Sequence, residues 1–129
     1  MTRYPQDMFD GANKARDVLT VEFELEGQRF LALNGGPEFT FSEAVSFLVN
    51  CESQEEIDEL WDKLVEGGGE HGPCGWLKDR YGLSWQVVPT GMDEMLTGPD
   101  KEGAQRAFAA MMQMKKIDLA ELQRAYAER

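Results

Sequence analysis

Basic residues are scarce in this chain, with 13 Lys and Arg against 24 Asp and Glu in 129 residues, a formal charge of −11. Phosphate backbones are bound by clustered cations, and Lys115-Lys116 is the only adjacent basic pair. Nucleic acid is therefore excluded as a partner. Long apolar runs are missing too: nothing approaches the roughly 18 residues of a membrane span. The start, Met1-Thr2-Arg3-Tyr4-Pro5, has no secretory signal character. A cytoplasmic protein without a membrane partner is expected. Cysteine is limited to Cys51 and Cys74, which a reducing compartment leaves as thiols. Histidine occurs once, at His71. With Cys74 three residues on, it supplies half of a zinc site, and nothing supplies the other half. No metal and no cofactor are expected.

What is present reads as a mixed α+β chain, long enough to bury a core as a single domain over residues 1–129. Residues 3–16 are polar and broken by Pro5 and Gly11, a loop after a short first strand. Val18 to Leu25 alternates at period two, with Leu19, Val21, Phe23 and Leu25 on one side and Thr20, Glu22 and Glu24 on the other. Glu26-Gly27 turns the chain, Gln28 to Leu33 returns, and Asn34-Gly35-Gly36-Pro37 stops it. Ala44 to Val49 is nearly all apolar, which predicts a strand covered on both faces.

Ser53 and Glu56 form a capping box that opens a helix. Its apolar stripe is Ile57, Leu60, Trp61, Leu64 and Val65, and Gly67-Gly68-Gly69 ends it. After Pro89, Gly98-Pro99-Asp100 starts a second helix with Ala104, Phe108, Met111 and Met112 on its apolar side. Asp118 and Glu121 cap a third, bearing Leu119, Leu122 and Tyr126.

The stretch Gly75-Trp76-Leu77-Lys78-Asp79-Arg80-Tyr81-Gly82-Leu83-Ser84-Trp85-Gln86-Val87-Val88 is the most informative. It reads as a β-hairpin: an apolar strand, an Asp-x-x-Gly turn and a strand with alternating faces. The element order is three strands, then strand, helix and three strands, then helices. The second group is a complete βαβββ unit, and the first lacks the opening strand and helix. Closed by this hairpin, the pattern resembles the vicinal oxygen chelate superfamily, which includes glyoxalases, bleomycin-resistance proteins and dihydroxybiphenyl dioxygenases. Within it the chain looks like the PhnB-like branch, labelled as a 3-demethylubiquinone-9 3-methyltransferase domain. The similar residues include Thr20 to Leu25, Phe30 to Gly36, Phe47 to Cys51, Cys74 to Asp79, Ser84 to Pro89 and Met111 to Asp118.

The resemblance implies βαβββ modules forming a curled mixed sheet, with an incomplete first unit at about 1–36 and a second at about 43–89. Helices follow at about 92–128. It also implies a bacterial protein with its ligand inside the U-shaped sheet. A free sheet edge where the missing strand belongs is a liability, so a homodimer is expected, with strand exchange as one route. In metal-using relatives a Glu of the final hairpin holds the metal. Here Gln86 stands there, a neutral amide that binds divalent metals weakly. Methyl transfer from S-adenosylmethionine typically uses a glycine-rich turn leading into a helix of a doubly wound sheet. Asn34-Gly35-Gly36-Pro37 leads into a polar loop.

Catalytic candidates reduce to His71, whose unperturbed imidazole titrates near neutrality, and Cys74 as a nucleophile beside it. Glu22, Glu24 and the carboxylates of the 55–59 helix are solvated faces, and Asp79 caps its own turn. Gln86, Trp85, Trp76 and Asn34 are the candidate ligand-binding residues, with Ser84 as a further polar group. The aromatics would supply contact area and the amides orientation. The function expected is metal-free binding of a small molecule. The alternatives are an enzyme of the superfamily (a metal-dependent lyase, isomerase or oxygenase, or the labelled methyltransferase) and a structural dimer without ligand.

Overall fold

A computed structural model of the chain describes residues 1–3 and 17–128. Most of the segment expected to form the first loop, 4–16, lies outside the described residues. The chain divides into two compact units, Met1–Thr40 and Phe41–Arg129.

The first unit is an antiparallel sheet of β1 (Thr2–Arg3), β2 (Val18–Leu25) and β3 (Gln28–Leu33), in that order. Glu26 and Gly27 both take positive φ, 48° and 81°, the backbone of a two-residue hairpin turn whose twist matches the strands. The turn fixes the register, pairing Phe23 with Phe30 and Val21 with Ala32. Paired residues share a face, and the two phenyl rings stack at 5.4 Å. Among the described residues, no strand lies on the outer edge of β3.

The second unit holds β4 (Ser46–Cys51), α1 (Gln54–Lys63), β5 (Glu70–His71), β6 (Trp76–Lys78) and β7 (Ser84–Pro89). The helices α2 (Met92–Thr97), α3 (Lys101–Met111) and α4 (Leu119–Ala127) follow. Sheet order is β4-β7-β6-β5, with β4 parallel to β7 and the other pairs antiparallel. A parallel pair needs a long crossover, and α1 with β5 and β6 provides it. This is the βαβββ arrangement read from the sequence. Ser53 caps α1 by accepting from the Glu56 amide at 3.2 Å, and Glu56 reaches back to the Glu52 amide at 2.9 Å. Ile57 and Trp61 then bury against Cys51, Leu77 and Val87, the odd-numbered face of the sheet.

A second core joins Ala107, Met111, Ile117 and Leu122 of the C-terminal helices. The segment between α3 and α4 is laced to the sheet side by backbone bonds from Cys74 to Met114 and from Gly75 to Lys115. Gln54 binds the Ile117 carbonyl and the Leu119 amide. Arg106 donates to the Ala125 and Tyr126 carbonyls, closing the end of α4.

Two expectations are corrected. β4 begins at Ser46 rather than Ala44 and is packed on one face, since Leu48 is 52% exposed; α1 covers only the other side. The α3 stripe is Gly103, Ala104, Ala107 and Met111, whereas Phe108 and Met112 are half exposed. The small residues win because α4 approaches closely: a Cβ on Gly103 would sit 2.9 Å from the Tyr126 carbonyl oxygen. Met92–Thr97, at the start of the region assigned to helices, forms a short helix of its own.

Candidate functional site

The register of the second sheet sorts its side chains into rows. Glu70 pairs with Lys78, Lys78 with Ser84, and Ser84 with Ser46, one row crossing all four strands. Two residues along each strand, Trp76 pairs with Gln86 and Gln86 with Leu48. Because faces alternate, both rows occupy the side of the sheet opposite α1. The intervening row, His71, Leu77, Trp85 and Phe47, faces the helix.

On the side away from α1 is a cavity of about 420 Å³ bordered by Glu43, Glu70, Lys78, Ser84, Trp76 and the Gly72–Cys74 turn. That volume falls in the range of small-molecule sites. The Trp76 side chain, Pro73 and the stem of Lys78 supply apolar wall. At the rim the Lys78 ammonium pairs with Glu43. Hydrogen bonding and charge from Glu43 push the Lys78 pKa up, and the same bond pulls the Glu43 carboxyl down. Ser84 is 1% exposed and its Oγ has no hydrogen-bond partner. A buried hydroxyl left unpaired costs on the order of 1–3 kcal/mol, and this one is enclosed by the protein rather than open to the cavity.

Within the second unit this geometry sorts the sequence candidates. Trp76 borders the cavity, and Gln86 lies next to it in register with its Nε2 donating to Ser46 Oγ at 2.9 Å. Trp85 is corrected to the opposite face: it packs on the α1 core, meets Phe47 edge-on at 5.2 Å and donates to Asp79 Oδ2 at 2.9 Å. Asn34 belongs to the first unit, where its side chain donates to the Val18 carbonyl at 2.8 Å and its amide to Leu19. That is a role in holding the strand ends.

His71 and Cys74 border the cavity, but both are tied elsewhere. The imidazole stacks on Trp61 at 4.4 Å and 7°. Its Nε2 is 2.8 Å from the Trp61 carbonyl, so Nε2 carries the proton, because a carbonyl only accepts. Cys74 takes left-handed backbone (φ 57°), and its Sγ lies 3.7 Å from Met112 Sδ. Neither thiol is in a disulfide, and burial pushes the Cys51 pKa up to about 11. Among the described residues, no three His, Cys, Asp or Glu side chains are grouped to hold a metal ion. Glu43, Glu70 and Lys78 were not anticipated. Period-two counting from Trp76 indicates Lys78, and Glu70 follows only once the β5 register is known.

Residues 1–88 match the family described as 3-demethylubiquinone-9 3-methyltransferase. The chain belongs to this family. The PhnB protein from Bacillus cereus, provisionally described in the same words, is a solved structure similar to it. It is 34% identical, with a TM-score of 0.56, over 69% of this chain and 75% of that one. No curated protein matches the chain. The family match ends within β7, so it contains the whole cavity wall and none of the C-terminal helices. The fold is accordingly the PhnB-like α+β arrangement with C-terminal helices, and no described helix is long and apolar enough to cross a membrane.

Proposed function

We propose that this PhnB-like protein binds a small organic molecule in the cavity on the open face of its second sheet. The observation that carries the reading is the cavity of about 420 Å³ walled by Trp76, Pro73 and the Lys78–Glu43 ion pair. Such sites combine mostly apolar walls with a few placed polar groups. Trp76 would supply contact area, Lys78 and Glu43 polar contacts, and Gln86 support from the row it shares with Trp76. The two units are proposed as halves of one vicinal oxygen chelate domain, since β1-β2-β3 repeats the meander of β5-β6-β7. The outer edge of β3 corresponds to the edge of β7 that β4 fills. Together with half-exposed Val21, Phe23 and Leu25, that edge supports a homodimer, with strand exchange as one form. A bacterial, cytoplasmic setting accompanies the reading, in keeping with the Bacillus relative.

An enzyme of the superfamily is the competing reading, and the family description favours it. The test is a native mass spectrum of the untagged protein beside its Trp76→Ala variant. A dimer carrying a small molecule of drug-like size, lost in the variant, supports binding in this cavity. A stoichiometric divalent metal on the wild-type protein overturns it and puts a lyase or oxygenase first.

A further inference from the structure

Lys78 carries the only permanent positive charge among the described residues that border the cavity, and both carboxylates of the wall flank it. Glu43 meets its ammonium in a direct ion pair. Glu70 stands across the β5–β6 ladder from Lys78, at the separation where cross-strand charges interact. Both push the Lys78 pKa up, Glu43 by its hydrogen bond and charge, Glu70 by charge. His71, the other basic side chain at the border, turns its ring to Trp61 on the α1 side. The ammonium thus has its partners within the protein, and the wall is left with a net negative charge.

An incoming carboxylate needs a free cationic donor to replace the water it gives up. In this cavity the donor is taken, the flanking groups share the ligand's sign, and the whole chain adds −11. A neutral hydroxyl can bond at the edge of the ion pair without displacing Glu43, whereas a carboxylate binds Lys78 only by displacing it. The apolar wall of Trp76, Pro73 and the Lys78 stem is indifferent to that distinction.

We infer that Glu43 determines specificity: by masking Lys78 it sets the cavity to take an uncharged, apolar-bodied molecule and to reject the carboxylate of the same shape. The inference rests on the binding reading above and adds the charge class of the ligand and the residue that fixes it. Glu43 lies in the exposed turn ahead of β4 and takes no part in either core, so it can be changed without disturbing the fold. The selection is electrostatic, and rising salt weakens it.

The experiment titrates the full-length protein with phenylpropanol and phenylpropionate, one body with a neutral or an anionic end, following the Trp76 indole and Gly72 amide signals by NMR. The wild-type protein should bind the alcohol about tenfold tighter than the carboxylate. Glu43→Gln frees Lys78 and should move that ratio about tenfold or more toward the carboxylate. Adding Lys78→Gln to Glu43→Gln should move it back. A wild-type protein that binds phenylpropionate as tightly as the alcohol overturns the inference while leaving the cavity a binding site. So does a Glu43→Gln variant that weakens or keeps both ligands alike, the result of a merely structural role. If neither ligand moves either signal, the binding reading itself fails and the inference fails with it.

Discussion

Asp79 shows how much one side chain organises. Its Oδ1 accepts from the Tyr81 and Leu83 amides at 2.9 and 3.0 Å, and its Oδ2 from Trp85 Nε1. The turn that Gly82 closes at φ 87° is thereby tied to the strand after it. Asp79→Ala removes three bonds at once and should cost about 3 kcal/mol in a urea melt, since hydrogen bonds to a charged acceptor are among the stronger ones. That carboxylate was legible from the Asp-x-x-Gly spacing, but its second oxygen was not, because the indole comes from six residues away. Ser84 behaves in the opposite sense. Its hydroxyl has no partner in the free protein, so Ser84→Ala should leave the melting temperature unchanged or raise it. Cys51 makes the third case. Burial holds its thiol neutral to about pH 11, against 9.0 for a free thiol. This raised folded-state pKa contributes stability that is intact below pH 9 and lost as pH rises toward 11. Alkylation should accordingly modify Cys51 only after denaturation, as mass spectrometry of the modified peptides would show.

At the scale of elements, helix α1 carries the core of the second unit. Ile57 is fully buried and Trp61 nearly so, on the face that covers Cys51, Leu77 and Val87. Ile57→Ala should cost about 3 kcal/mol, measured by chemical denaturation. Gly75 bears a different constraint, with φ 82° and an imagined Cβ at 3.0 Å from both Ile117 Cγ1 and the Val87 carbonyl oxygen. Gly75→Ala should therefore loosen the junction of sheet and C-terminal segment by roughly 2 kcal/mol or more. Element identities were readable because local signals agreed: period-two alternation in β2, a capping box at Ser53, and Asp caps at positions 100 and 118 confirmed by bonds to the Gly103 and Glu121 amides. Faces were less readable. A continuous apolar run such as 44–49 looks the same whether one side or two are covered, and Leu48 turned out to be on the open side. Trp85 was placed in the cavity because aromatic type does not reveal strand face; only the β6–β7 register does.

For the whole molecule, the family and the βαβββ order followed from the hairpin Gly75–Val88 and its neighbours, whereas the cavity wall required three-dimensional pairing. Glu43, Glu70 and Lys78 come from three separate segments and share no local motif. The proposed dimer belongs to this scale: sedimentation of the untagged chain should give twice the 14.6 kDa monomer mass, and a monomer at all concentrations would remove that part of the proposal.

The claim that everything else depends on is that the open face of the second sheet takes a small ligand. The direct measurement is an amide NMR screen of the intact protein against a library of small organic fragments. Binding should shift the signals of Trp76, Lys78 and Ser84 together, and Trp76→Ala should abolish those shifts while the α1 core signals stay in place. Fragments that bind only elsewhere, or none that touch this cluster, would contradict the account.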